Sequence, residues 1–175
     1  MSTAKVLNVI NAPLGQEFEQ LFHDHYPLVY RTAYSVTGSR EDAEDVVQTI
    51  FLRLYRRGVL SGVKENPKAY LYRAAVNAAV SVVRSRRRHI LTNDSAELDR
   101  PVEAKTSNEE PALQGQFLEA IAQLNPSAVE ILILRYEHNY SDAEIAKLLG
   151  TSRSAIAVRL FRARARLKKF MEKKA

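Results

Sequence analysis

Apolar residues recur at intervals of three and four along most of this chain, the spacing typical of amphipathic helices. The stripes run through positions 18–33, 43–54 and 71–82 in the first half and 117–124, 129–136, 145–149 and 156–167 in the second. Pro27 falls inside the first stripe, where it is expected to kink that helix or split it into two. The pattern predicts an all-α fold with three or four helices in the first half and four in the second.

The ends of these helices carry capping signals. Asn66-Pro67 and Asn125-Pro126 each place an asparagine cap before a proline at the first helical position. Ser141 and Glu144 form a capping box that opens a short helix, which Gly150 ends before the long final helix begins. A short helix, a tight glycine turn and a second helix make a helix-turn-helix pattern.

The segment at positions 89–115 is polar, acidic and without a helical period, so we interpret it as a flexible linker. It carries 2 basic and 6 acidic residues, against 12 and 8 at positions 16–88 and 11 and 6 at positions 116–175. We therefore predict an N-terminal tail (1–15), an N-terminal domain (16–88), the linker (89–115) and a C-terminal domain (116–175). Two basic domains in a chain of net charge +6 favour contact with a polyanion, although solvated surface charge would give the same excess.

The final helix combines an apolar stripe with a basic face. Its apolar residues step by four, three and four, while basic residues step by three, four and three from Arg159 to Lys169. Because the helix follows a helix-turn-helix pattern, we interpret it as one that enters the major groove of DNA, with Arg153 and Ser154 near base edges. The alternative is a surface helix whose basic residues suit the helix dipole.

The helix that starts at Pro67 carries a polar stripe opposite its apolar one. The stripe consists of Arg73, Asn77, Ser81 and Arg84. Arginine and asparagine are side chains that read base edges, and the basic run at positions 84–88 is suited to phosphates. Tyr70 and Tyr72 are candidates for stacking on unpaired bases, although tyrosines more often pack in a core.

The sequence contains few residue patterns that would indicate a catalytic site or a metal site. The sequence has no cysteine, which excludes disulfides and thiolate zinc sites. The four histidines are scattered, the acidic run at positions 41–45 suits a first helical turn, and no catalytic triad or phosphate loop stands out. No apolar run approaches the roughly 18 residues that span a membrane. We expect a cytoplasmic protein with no enzymatic activity, catalytic residue, metal, cofactor or membrane segment.

Five short motifs occur along the chain in an order that is typical of one protein family. They are DAEDVVQTIF at positions 42–51, PKAYLYRAAVN at 67–77, LNP at 124–126, YSDAEIA at 140–146 and RLFRAR at 159–164. In this order they resemble the extracytoplasmic-function (ECF) sigma factors of the sigma-seventy family, and the resemblance covers both predicted domains. It implies a protein that gives RNA polymerase its promoter specificity.

The resemblance also implies partners and sites. The partners are core RNA polymerase, through its beta-prime clamp helices and beta flap, and promoter DNA, with an anti-sigma factor as a further candidate. The polymerase-binding residues would be Asp45, Gln48 and Thr49. The minus-ten DNA-binding residues would be Asn66, Tyr70, Arg73, Asn77, Arg84 and Arg88. The minus-thirty-five DNA-binding residues would be Arg153, Ser154, Ala157, Arg159, Phe161 and Arg162.

The chain departs from the family pattern in both domains. Ser81 and Thr49 stand where the family usually has an acidic residue, and Val76 where arginine is common. The recognition-helix positions that are commonly lysine, serine and histidine are here Ala157, Val158 and Phe161. Such an apolar face suits thymine methyl groups, provided that Phe161 faces DNA and not the core.

Two other functions fit parts of the pattern. A helix-turn-helix repressor or activator would bind duplex DNA alone, and the motif at positions 45–51 argues against it. A helical module whose basic faces bind an acidic protein would lack salt-dependent, sequence-selective DNA binding. For a sigma factor, we expect the acidic linker to occupy the DNA-binding surfaces of the free chain, so that promoter binding requires polymerase.

Overall fold

The computed structural model describes residues 16–57, 63, 65–92 and 110–172. In it, the first apolar stripe forms one uninterrupted helix. The described residues form seven α-helices: α1 (Gln16–Thr37), α2 (Arg40–Arg57), α3 (Pro67–Thr92), α4 (Glu110–Gln123), α5 (Pro126–Tyr136), α6 (Asp142–Leu149) and α7 (Arg153–Glu172). The all-α prediction is confirmed for this part of the chain. Pro27 does not split α1; its ring lies on the exposed side of the helix, and the opposite face of the helix is buried.

The N-terminal module, α1 to α3, is built around aromatic and aliphatic side chains from the predicted stripes. Phe51 of α2 meets Phe22 of α1 edge to face, with ring centroids 4.8 Å apart, and Phe18 at 6.3 Å. Asp42 in the first turn of α2 forms an ion pair with Arg86 of α3. One arginine of the basic run at positions 84–88 therefore holds α2 and α3 together.

The C-terminal module, α4 to α7, confirms the capping signals. Asn125 accepts a hydrogen bond from the amide of Ala128 at the start of α5, and the capping box of Ser141 and Glu144 opens α6. Gly150 ends α6 in the left-handed conformation, with φ 65°. The turn that follows directs the chain into α7, which completes the helix-turn-helix.

Both flanking helices extend into the segment interpreted as a linker. Helix α3 continues to Thr92, past the predicted boundary at residue 88, and α4 begins at Glu110, before the predicted boundary at residue 116. The first turns of α4 are polar and contain Gly115, so the spacing of apolar residues did not predict them as helix. The remainder of the predicted linker, and the tail at positions 1–15, lie outside the described residues.

Helix α5 lies between the two modules. Its residues from Ala128 to Leu134 are all buried, which is unusual for a surface helix with one apolar face. The helix contacts α1 and α3 of the N-terminal module and α6 and α7 of its own module. Helix α4 also contacts α1 and α3, and the buried residues of both modules form one continuous hydrophobic cluster.

Candidate nucleic-acid and polymerase-binding surfaces

The residues predicted to contact polymerase lie on the outer side of α2. Asp45 and Thr49 are exposed and Gln48 is half-buried, while Val46, Val47 and Ile50 between them are buried in the core. The apolar residues anchor the helix and thereby present the three polar side chains together. This arrangement forms a small polar surface suited to docking on another protein.

The predicted minus-ten residues form a single line along α3, which we call the α3 stripe. They are separated by four, three, four, seven and four residues, close to whole helical turns, and are Asn66, Tyr70, Arg73, Asn77, Arg84 and Arg88. Asn66 accepts a hydrogen bond from the amide of Ala69 at 3.0 Å and so caps α3. Asn77 and Arg88 are exposed, and Tyr70 is half-buried.

Two arginines of the α3 stripe bind the C-terminal module. Arg73 donates to the Glu130 carboxylate at 3.1 Å and to the carbonyl of Leu149 at 2.9 Å. Arg84 donates to the carbonyls of Ala122 at 3.0 Å and Leu124 at 2.9 Å. These contacts join two of the six predicted minus-ten residues to the other module.

Tyr72 corrects one expectation from sequence. The sequence made Tyr72 a candidate for stacking on unpaired bases. In the structure its side chain is completely buried, and its hydroxyl donates a hydrogen bond to the carbonyl of Glu130 at 2.7 Å. Burial, together with the nearby Glu130 carboxylate, raises the pKa of the Tyr72 hydroxyl. Tyr72 is therefore a structural residue between the modules, and Tyr70 is left as the aromatic member of the α3 stripe.

Glu130 is a charged residue in an otherwise apolar helix. Its carboxylate is largely buried in the contact between α5 and α3, and burial raises the pKa of Glu130 against the opposing attraction of Arg73 and Arg159. Glu130 was not among the functional residues predicted from the sequence. The signal was the run AVEILIL at positions 128–134, in which a carboxylate interrupts an apolar segment with no polar face of its own.

All six predicted minus-thirty-five residues are exposed along α7. The residues are Arg153, Ser154, Ala157, Arg159, Phe161 and Arg162. The opposite side of the helix is buried through Ile156, Leu160 and Ala163. Phe161 is 74% exposed and Val158 48% exposed, which places both on the outer face and answers whether Phe161 packs in the core. The result is an apolar strip bordered by arginines on a helix-turn-helix.

His138 lies at a second contact between the modules, which sequence analysis also missed. Its Nε2 is 3.2 Å from the hydroxyl of Thr32 in α1, and its ring meets that of Tyr72 edge to face. Burial lowers the pKa of His138, and Arg31 lowers it further. A cavity of about 540 Å³ opens beside it, lined by residues of both modules.

Between residues 16 and 172, omitting the gaps given above, no group of three or more histidines and carboxylates is placed to hold a metal ion. Within the same residues, none of the helices is long and apolar enough to cross a membrane.

Each module matches a model of a known protein family. The family model for sigma-70 region 2 matches residues 21–89, and that for sigma-70 region 4 matches residues 114–167. The chain therefore belongs to the sigma-70 family of RNA polymerase sigma factors. Several of the relatives to which it is similar are ECF sigma factors.

Three relatives illustrate the similarity. The ECF RNA polymerase sigma factor BldN of Streptomyces coelicolor is 30% identical over 151 residues, which cover 83% of this chain and 57% of BldN. The RNA polymerase sigma-E factor of Streptomyces antibioticus is 28% identical, with 89% and 85% covered. SigM of Mycobacterium tuberculosis is 28% identical, with 97% and 85% covered.

A solved structure shares the fold. The sigma factor RpoE of Bartonella quintana, in a co-crystal structure with the anti-sigma factor NepR, superposes with a TM-score of 0.51 at 23% identity. The match covers 90% of this chain and 98% of that one. It supports the helical architecture of both modules.

Proposed function

We propose that this chain acts as a promoter-specificity subunit of bacterial RNA polymerase. The observation that carries the proposal is the presence on one chain of two exposed helix faces that carry arginines. These are the α3 stripe in the region matched by sigma-70 region 2, and the exposed face of α7 in the region matched by region 4. Polymerase would perform the chemistry in the cytoplasm, and the chain would contribute neither a catalytic group nor a cofactor.

Each surface has a proposed partner. The Asp45, Gln48 and Thr49 surface of α2 docks on the clamp helices of polymerase, while the C-terminal module contacts the beta flap. The α3 stripe binds the separated strand of the minus-ten element, where arginines meet phosphates and Tyr70 stacks on a base. Helix α7 enters the major groove of the minus-thirty-five element as duplex.

An anti-sigma factor is a further proposed partner. The co-crystal structure of Bartonella RpoE contains one, and this chain shares the fold of that sigma factor. A regulator that covers the α2 surface would compete directly with polymerase.

The docking role is tested by removing the polar groups of α2. Asp45→Asn combined with Gln48→Ala should weaken binding to core polymerase without loss of fold, because both side chains lie outside the core. The matched control is Glu19→Gln with Gln20→Ala, which makes the same chemical change on the exposed side of α1. Binding is measured by co-sedimentation with core polymerase, and melting temperature by circular dichroism.

The outcome separates sigma factor from repressor. Equal polymerase binding by both double variants would contradict the docking role of α2. Run-off transcription of a genomic library by wild-type protein and core polymerase should reveal selected promoters. Nanomolar, sequence-specific binding of the chain alone to duplex DNA at physiological salt would instead favour a repressor.

A further inference from the structure

The exposed face of α7 has a basic edge on each side of the apolar strip formed by Val158 and Phe161. One edge consists of basic residues spaced by three, four and three, which are Arg159, Arg162, Arg166 and Lys169. The other consists of residues spaced by eleven and four, close to whole helical turns, which are Arg153, Arg164 and Lys168. All seven side chains are exposed. We call the second line the Arg164 edge.

Helix α5 supports the Arg164 edge through its last residue, Tyr136, whose side chain is exposed. The guanidinium carbon of Arg164 lies over the Tyr136 ring, 5.5 Å from the ring centroid. A cation at this distance is attracted by the negative face of an aromatic ring. Because α5 and α7 pack against each other, the contact joins two helices whose relative position is fixed. It therefore restricts the directions in which the Arg164 side chain can point.

The contact with Tyr136 leaves the hydrogen-bond donors of Arg164 available. Stacking on a ring uses the face of the guanidinium group, whereas an ion pair would use its N–H groups. Within the described part of the chain, no carboxylate forms an ion pair with Arg164. Arg73 shows the contrast, because the Glu130 carboxylate and the carbonyl of Leu149 accept from its donors. Arg164 is thus held in place and still able to donate to an anion.

We infer that Tyr136 positions Arg164 to bind a backbone phosphate of the minus-thirty-five duplex, on the strand that faces the Arg164 edge. This inference rests on the proposed function. The major groove is about 12 Å wide and admits one helix, so a helix inside it has a phosphate backbone on each side. The residues predicted from sequence direct Arg159 and Arg162 to one backbone but only Arg153 to the other. A side chain that a ring already orders loses less conformational freedom on binding, which increases affinity.

The inference is tested with a double-mutant cycle in the full-length chain. Tyr136→Ala, Arg164→Ala and the double variant are compared with wild type for binding to mixed-sequence duplex DNA, by fluorescence anisotropy at several salt concentrations. Mixed-sequence DNA is suitable because a phosphate contact does not depend on the bases. The control is Tyr34→Ala, which removes an exposed tyrosine ring from α1 of the other module and should bind as wild type does.

The two single variants should differ in their effects. Arg164→Ala should lower the slope of log affinity against log salt concentration by about one, because one phosphate contact is lost. Tyr136→Ala should weaken binding about threefold, a size typical of an exposed contact between a cation and an aromatic ring. It should have no further effect when residue 164 is already alanine. An equal effect of Tyr136→Ala in both backgrounds would overturn the positioning role, and an unchanged slope in Arg164→Ala would overturn the phosphate contact.

Two conservative variants separate the ring from the rest of the Tyr136 side chain. Tyr136→Phe keeps the aromatic face and should retain wild-type affinity, whereas weaker binding would show that the hydroxyl itself contacts DNA and would overturn the inference. If circular dichroism shows that Tyr136→Ala does not fold, Tyr136→Leu takes its place in the cycle, because leucine keeps apolar bulk without an aromatic face. A lower melting temperature with wild-type DNA affinity would mean a purely structural role and would refute the inference.

Run-off transcription by wild-type protein and core polymerase reports separately on the proposed function. The double-mutant cycle needs neither polymerase nor a known promoter. A failure of transcription beside a measured coupling between Tyr136 and Arg164 would therefore count against the sigma-factor role and not against the phosphate contact.

Discussion

Phe161 is the residue whose environment most directly suggests a specific function. A phenylalanine that is 74% exposed gains nothing from the core, yet here it stands on the outer face of α7 next to Val158. Arg162, also exposed, borders this apolar strip and is placed to hold a phosphate while the strip meets the groove floor. We therefore interpret Phe161 and Val158 as readers of thymine methyl groups.

Replacement of Phe161 separates a DNA-facing role from a structural one. Phe161→Ala should change the free energy of unfolding by less than about 0.5 kcal/mol, because the ring is exposed. It should weaken transcription from a promoter that carries the contacted thymine by roughly 1 kcal/mol, about fivefold. The measurement compares two promoters that differ at one thymine, together with the melting temperature.

Neighbouring residues provide the controls for Phe161. Leu160→Ala, in the buried face, should cost about 2–5 kcal/mol of stability and affect every promoter alike. Arg162→Ala should weaken binding to all promoters similarly. It should also lower the slope of log affinity against log salt concentration by about one. Equal loss at both promoters with Phe161→Ala would refute methyl recognition.

At the scale of elements, the turn between α6 and α7 fixes how the recognition helix is presented. Gly150 has φ 65°, a conformation that residues with a Cβ adopt only with strain. A Cβ at this position would meet no neighbouring atom within 4 Å, so the backbone conformation alone requires glycine. The direction of α7 therefore depends on one residue.

Two glycine substitutions test this dependence. Gly150→Ala should lower the free energy of unfolding by about 1 kcal/mol because it forces alanine into the left-handed region. Gly115→Ala, inside α4 and with open space around its Cβ, should raise it by about 0.5–1 kcal/mol. Both values come from urea denaturation, and a stabilising effect of Gly150→Ala would contradict the proposed conformation of the turn.

For the whole molecule, pH should act through the boundary between the modules. Burial lowers the pKa of His138 and of His25, which favours the neutral form of each ring. A group whose pKa is lowered on folding stabilises the fold above its unfolded pKa of about 6.5, and that contribution is lost as pH falls through the lower, folded pKa. Glu130 acts in the opposite sense, because its raised pKa favours the folded state as pH falls.

The contribution of His138 is isolated by substitution. Between about pH 7.5 and about pH 5.5, the loss in free energy of unfolding should be smaller in His138→Gln than in wild type. His23→Gln, on the exposed side of α1, is the control and should follow the wild-type curve. Parallel curves for wild type and His138→Gln would show that this histidine does not couple pH to folding.

Local signals in the sequence determined much of the molecule. The caps at Asn66, Asn125 and Ser141 form as predicted, because each depends on a side chain and an amide only three residues away. The apolar spacing likewise placed Leu54 of α2 and Leu160 of α7 in the core. The exposed faces of α2 and α7 followed from the same periodicity.

Tertiary structure alone decided how the two modules meet. Tyr72 and Arg73 are neighbours in a motif associated with DNA, yet one is buried against Glu130 and the other bonds the end of α6. The partner of Tyr72 lies 58 residues away along the chain, and that of Arg73 lies 76 residues away. A periodic pattern reports which face of a helix is apolar, but the partner that covers a polar stripe depends on contacts distant in sequence.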